Sequence, residues 1–168
     1  MTPLFWLLGF VVLQRLIELL YSRRNESRLL AAGAREVGRR HYPLIVALHV
    51  AWILSMAIFI PPDTPLRGPW LAVFAALQLL RIWTIASLGR FWTTRVMTLP
   101  GAPLIRRGPY RFVSHPNYLI VAAEIAALPL AFGAWRLAAI FTVANAALLW
   151  WRIRVENAAL AERRSMAR

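Results

Sequence analysis

Four residues in this 168-residue chain have the types and spacing of a reaction centre: His115 with Tyr118, and Arg152 with Glu156. The first pair sits in Ser114-His115-Pro116-Asn117-Tyr118, just after Arg107-Gly108-Pro109-Tyr110. Gly-Pro forms turns, and Pro116 suits the first turn of a helix, where its missing N–H costs nothing. His115 and Tyr118 therefore belong at a helix N-terminus, whose free N–H groups and partial positive charge suit a carboxylate or another anionic group. A plainer reading makes His115 a loop hydrogen-bonding group and Tyr118 part of an interfacial aromatic belt. Arg152 and Glu156 are four apart and share a helical face, either as a surface ion pair or in a sharper role. In that role Arg152 presents its fork to an anionic or carbonyl group, and Glu156 accepts hydrogen bonds from a ligand.

The elements that position these groups are very apolar. The chain is 60% hydrophobic and only 16% charged, with a mean hydropathy of +0.55, outside the balance of a soluble domain. Its apolar residues fall in five runs, near 3–21, 43–60, 69–88, 117–132 and 135–151, each close to the roughly 20 residues that cross a bilayer. They predict an all-α integral membrane protein of about five transmembrane helices in a single domain, 1–168. The few residues around Gly133 predict a tight C-terminal helical hairpin, which brings Arg152 and Glu156 back near His115. The first run lacks a basic leader, contains Arg15 and Glu18 and has no small-residue cleavage site, so it is read as a mature helix.

A net charge of +13 would suggest nucleic acid in a soluble protein, but here the arginines sort by loop and report topology. Six lie in 22–42, five in 89–116 and five from Arg152 onward, whereas the connections near Arg67 and Arg136 hold one each. The expectation is a multi-pass protein of the cell inner membrane, N-terminus outside and C-terminus cytoplasmic, with no nucleic-acid partner. Cysteine is absent, which excludes disulfides, thiolate metal sites and a cysteine nucleophile.

Irregular backbone near a membrane must be buried in protein or line a cavity, so 89–116, with its Pro-Gly and Gly-Pro turns, is expected to fold as a cytoplasmic cap. Glu124 falls two turns inside the fourth helix, where a carboxylate is a functional or helix-pairing group. Arg81 is its expected partner, Arg15 and Glu18 share a face of the first helix, and Asn145 is a candidate for holding helices together. Most tryptophans, Trp92 among them, lie near span ends and read as interface anchors. His41 and His49 raise haem ligation as a further reading.

Taken together, Gly108-Pro109-Tyr110, His115-Pro116-Asn117-Tyr118, Arg152 and Glu156-Asn157-Ala158-Ala159-Leu160 resemble the signature of the isoprenylcysteine carboxyl methyltransferase family. The match covers 89–160, which would be the cofactor-binding catalytic core. Arg15-Leu16-Ile17-Glu18, Ser22-Arg23-Arg24-Asn25 and Gly33-Ala34-Arg35-Glu36 are similar to its bacterial branch, some of it associated with O-methylation of alkylpyrones. Ser114 and Asn157 depart from the motif's arginine and second glutamate.

The resemblance implies S-adenosylmethionine as cofactor, held by Arg95, Ala102, Pro103, Leu104, Ile105, Tyr110, His115, Pro116, Asn117, Tyr118 and Glu156, with Arg152 facing the acceptor. The expected reaction is methyl transfer to a carboxylate or hydroxyl oxygen of a lipophilic small molecule or prenylated substrate. A neutral hydroxyl would need His115 or Glu124 to take its proton. A phospholipid N-methyltransferase, or a non-catalytic subunit binding haem or quinone, are the alternatives.

Overall fold

A computed structural model describes residues 2–39, 42–102 and 105–166, with side chains as far as 158. Five helices follow in order: α1 Pro3–Ala31, α2 Tyr42–Phe59, α3 Gly68–Leu88, α4 Pro116–Ala131 and α5 Trp135–Met166. The chain is a multi-pass membrane protein. Four of the helices are long and apolar enough to cross a bilayer, and their outer faces carry bare Phe10, Leu20, Leu54, Ile58, Leu79 and Val143, which suit lipid. The expected fourth span is shorter than the rest. With 16 residues, α4 rises only about 24 Å against a hydrocarbon core of about 30 Å. It need not match the lipid, because nine of its residues, Ile125, Ala127 and Leu128 among them, are buried between its neighbours. Its alanines let those neighbours approach closely.

The core is apolar and includes the second half of α4, with Leu4, Leu8, Val11, Trp52, Met56, Phe74 and Leu128 in one cluster. The α4–α5 hairpin turns at Gly133, whose positive φ of 71° favours glycine, with the Arg67 guanidinium packed 2.6 Å from where a Cβ would stand. Arg67 N–H also donates to Ala131 C=O at 2.8 Å, so the far end of the hairpin is closed.

The cap at the opposite end is not purely helical. Two three-residue strands, β1 Arg35–Val37 and β2 Val96–Thr98, pair antiparallel with Glu36 opposite Met97. Strands this short carry no period that a helical bundle's sequence would reveal. On α1, the apolar buried face of Leu4, Leu8 and Val11 becomes polar further along, as Glu18, Ser22 and Asn25. From Ser22 onward that polar face holds the cap. Asn25 Nδ2 donates to Gly89 C=O at 3.1 Å and Trp92 C=O at 2.9 Å, and Thr94 N–H donates to Ser22 Oγ at 2.7 Å. Arg95 grips both Glu36 carboxylate oxygens at 2.9 Å, clamping the middle of β1 to the residue that leads into β2.

Candidate active site

Gly108 makes the cap possible. Its φ is +56°, and a Cβ there would lie 2.0 Å from Ser87 Oγ and 3.2 Å from Trp83 Nε1, so the Gly-Pro turn packs its backbone directly on α3. Arg107 Nε donates to Ser87 C=O at 2.8 Å and fixes the same junction. The chain then enters α4 with His115 as N-cap, its side chain making no capping bond, and is free to point elsewhere.

The imidazole stacks on Tyr118, with ring centroids 5.2 Å apart and planes 16° apart. Its Nε2 lies 3.0 Å from Asn157 Oδ1, and its Nδ1 is 3.7 Å from Glu156 Oε2. Asn157, a departure from the family motif, is thus what orients His115. Arg152 and Glu156 do not pair with each other; both meet the Tyr118 hydroxyl. Arg152 Nε donates to that oxygen at 2.7 Å, and the hydroxyl donates to Glu156 Oε2. Arg152 Nη2 donates to Thr94 C=O at 2.6 Å, and its guanidinium lies over the Tyr118 ring. Helix α5 thereby places a cation and a carboxylate on either side of one phenol from α4.

Two hollows meet at this cluster. The first lies under the cap and is lined by Arg95, Ala102, Ile105, Tyr110, Ser114, His115, Asn117, Tyr118, Arg152 and Glu156, closed by β2. Most of the anticipated cofactor residues are brought together here. Pro116 is buried behind the wall, and Pro103 and Leu104, like His41, lie outside the described residues. Burial, reinforced by the Glu156 carboxylate, pushes the Tyr110 phenol well above its ordinary value, so Tyr110 stays a neutral hydrogen-bonding group. The second hollow is a largely apolar crevice between α1, α2, α4 and α5, with Leu16, Val46, Val50, Ile53 and Leu149 in its walls and Arg15, Glu18 and Arg81 at one side. Trp92, Thr93, Asn117, Tyr118 and Arg152 belong to both.

Trp92 is not the interface anchor its position suggested. It is 3% exposed, and its Nε1 is buried with no partner among the described residues, as is Asn117 Oδ1. One orphan donor and one orphan acceptor at the junction of two hollows are what a polar ligand would satisfy. Thr94 was also missed, although it ties Ser22, Tyr42 and Arg152 together. A threonine among polar residues at a span end carries no signal of its own.

Glu124 lies elsewhere. It lines neither hollow and is 2% exposed, receiving Arg15 Nη2 at 2.7 Å, Gln78 Nε2 at 2.9 Å and Arg81 Nε at 2.8 Å. Arg15 and Arg81 also reach Glu18 Oε2, at 2.8 and 3.3 Å. Two arginines and two glutamates form one neutral layer across α1, α3 and α4. Such pairing removes the cost of isolated charge in hydrocarbon, and it leaves Glu124 no lone pair aimed at a substrate.

The profile of the isoprenylcysteine carboxyl methyltransferase (ICMT) family matches residues 70–162. The uncharacterized protein YpbQ of Bacillus subtilis is 37% identical over 164 residues, covering 95% of this chain and 98% of that protein. An uncharacterized protein of Haemophilus influenzae is 30% identical over 112 residues, covering 63% of this chain and 64% of its own length. No solved structure matches the chain. With the family's profile falling on α3, the cap, α4 and α5, and a full-length relative beside it, the chain belongs to the isoprenylcysteine carboxyl methyltransferase family.

Proposed function

We propose that the protein transfers a methyl group from S-adenosylmethionine to an oxygen of a lipophilic acceptor, at the cytoplasmic face of the inner membrane. The observation that carries this reading is the shared wall: a polar hollow under the cap and an apolar crevice open to lipid have Tyr118 and Arg152 in common. A water-soluble donor and a membrane-soluble acceptor need such a meeting point.

The residues under the cap fit the cofactor. Glu156 suits its cationic groups, the α4 N-terminus its carboxylate, and Trp92 Nε1 with Asn117 Oδ1 supply a donor and an acceptor left unused by the protein. When bound, S-adenosylmethionine supplies an electrophilic methyl group on a sulfonium. The chain's own residues align the partners, and positioning of this kind is worth several kcal/mol or more. Arg152, held by Tyr118 and Thr94 at fixed angles, presents its remaining N–H groups to the acceptor oxygen and stabilises it as an anion. A cation at that point favours a carboxylate or enolate over an amine, which supports oxygen rather than nitrogen methylation. For a neutral hydroxyl, His115 is placed to take the proton, whereas Glu124 is too fully engaged. The cap's arginines, Arg90, Arg95, Arg106, Arg107 and Arg111, support its cytoplasmic placement.

Calorimetry of S-adenosylmethionine with detergent-purified protein tests the reading. Saturable binding is expected, weakened at least tenfold by His115→Ala and by Glu156→Ala, since each removes a group that lines the hollow. Folded wild type that binds no cofactor would overturn the proposal. Label transferred from the methyl group to nitrogen would transfer it to phospholipid N-methylation.

A further inference from the structure

Asn145 was expected to hold helices together, but its amide nitrogen bonds no other helix among the described residues. It is 2% exposed, its Nδ2 is buried with no hydrogen-bond partner, and it lines the lipid-facing crevice. An amide left unsatisfied in hydrocarbon costs several kcal/mol. His49 lines the same crevice. Its Nδ1 is 2.8 Å from Ile45 C=O, which can only accept, so Nδ1 carries the proton and the neutral ring's Nε2 is left as an acceptor.

Both groups line the crevice about two helical turns in from its mouth. Thr94 marks the crevice mouth, bonding the Tyr42 hydroxyl at 3.2 Å and Arg152 Nη2 at 2.6 Å. From Tyr42, seven residues along α2 lead to His49; from Arg152, seven residues back along α5 lead to Asn145. Seven residues are two turns, which return to the same helix face ~10 Å deeper. The helices run in opposite directions through the membrane, so both steps descend.

Resting on the methyltransferase reading, we infer that Asn145 and His49 form a second polar subsite in the crevice, which takes a hydroxyl carried by the acceptor ~10 Å from the oxygen that is methylated. A hydroxyl accepts from the Asn145 amide and donates to His49 Nε2 at once. An unbroken alkyl or isoprenoid tail leaves both unpaired. The acceptor class is therefore a long-chain molecule with a mid-chain hydroxyl, and the subsite is a determinant of specificity remote from the chemistry.

The probes are hexadecanoic acid and its analogue hydroxylated ~10 Å from the carboxylate, titrated calorimetrically into purified protein. Wild type is expected to bind the hydroxylated acid about tenfold more tightly. In Asn145→Leu and in His49→Phe the two acids should bind about equally, with S-adenosylmethionine binding unchanged. If Asn145→Leu does not fold, His49→Phe carries the comparison. Wild type that binds the acids equally, or neither, overturns the subsite, as does a preference that survives both substitutions. Cofactor binding without the preference refutes the subsite alone; the preference without cofactor binding refutes the methyltransferase reading alone.

Discussion

Two clusters of arginine and glutamate lie within one helical bundle, and they differ in what they leave over. In the membrane layer, Arg15, Glu18, Arg81 and Glu124 bond one another, and Glu124 alone receives three donor side chains, although Arg15, Glu18 and Arg81 also edge the second hollow and Arg15 Nε stays unpaired among the described residues. At the cap end, Arg152 and Glu156 converge on one Tyr118 hydroxyl, two hollows adjoin them, and Trp92 and Asn117 keep unpaired atoms beside them. Charge in a membrane protein is by itself poor evidence of catalysis. Saturated charge holds helices together, whereas unsaturated polar groups around a hollow await a ligand.

The sharpest contrast is between Glu124→Gln and Glu156→Gln. The first removes one of two negative charges facing buried Arg81 and half-buried Arg15 and should cost about 3–5 kcal/mol of stability, read by unfolding in detergent. The second alters a partly exposed carboxylate, with 26% of its side chain accessible, and should change stability by under ~1 kcal/mol while weakening cofactor binding at least tenfold. A stably folded but inactive Glu124→Gln protein would reverse the assignment and make the membrane layer catalytic. Arg152→Lys comes next. It retains the charge but cannot reach Tyr118 and Thr94 together with a rigid fork, and methyl transfer should fall about 10²-fold with cofactor binding little changed. Equal losses in both would place Arg152 with the cofactor instead of the acceptor.

The smallest expected effect concerns Tyr110, whose phenol is raised above its ordinary value in the folded protein. Above about pH 10 the unfolded chain releases that proton while the native chain retains it. The unfolded state then binds fewer protons, so stability falls with rising pH. Thermal unfolding of wild type should therefore decline more steeply than that of Tyr110→Phe between roughly pH 9 and 11. Parallel curves would mean that Tyr110 is not buried against Glu156.

Much of the architecture was legible because hydrocarbon imposes it. Apolar runs marked the helices, Gly133 marked the hairpin, and Pro116 marked the start of α4. The pairing of Arg81 with Glu124 was legible too, since an unpaired charge at that depth is too costly to keep. The β1–β2 ribbon was not, because three-residue strands have no readable period. Nor was the merging of Arg15–Glu18 with Arg81–Glu124 into one layer, which depends on how α1 rotates against α3 and α4. Trp92 shows the same limit: a tryptophan at a span end has one sequence signature, whether its ring faces lipid headgroups or closes a hollow.

The sequence by itself determined which segments cross or border the membrane and which residues have the chemistry for methyl transfer, because period, charge and residue type are local properties. Only the tertiary structure decided which polar atoms are already satisfied. That depends on partners brought from distant segments: Thr94 to Arg152, Arg15 to Glu124, and, among the described residues, no partner for Asn145 Nδ2. A hydrogen bond has directions and a reach of about 3 Å, and no spacing along a chain can state whether one has been made.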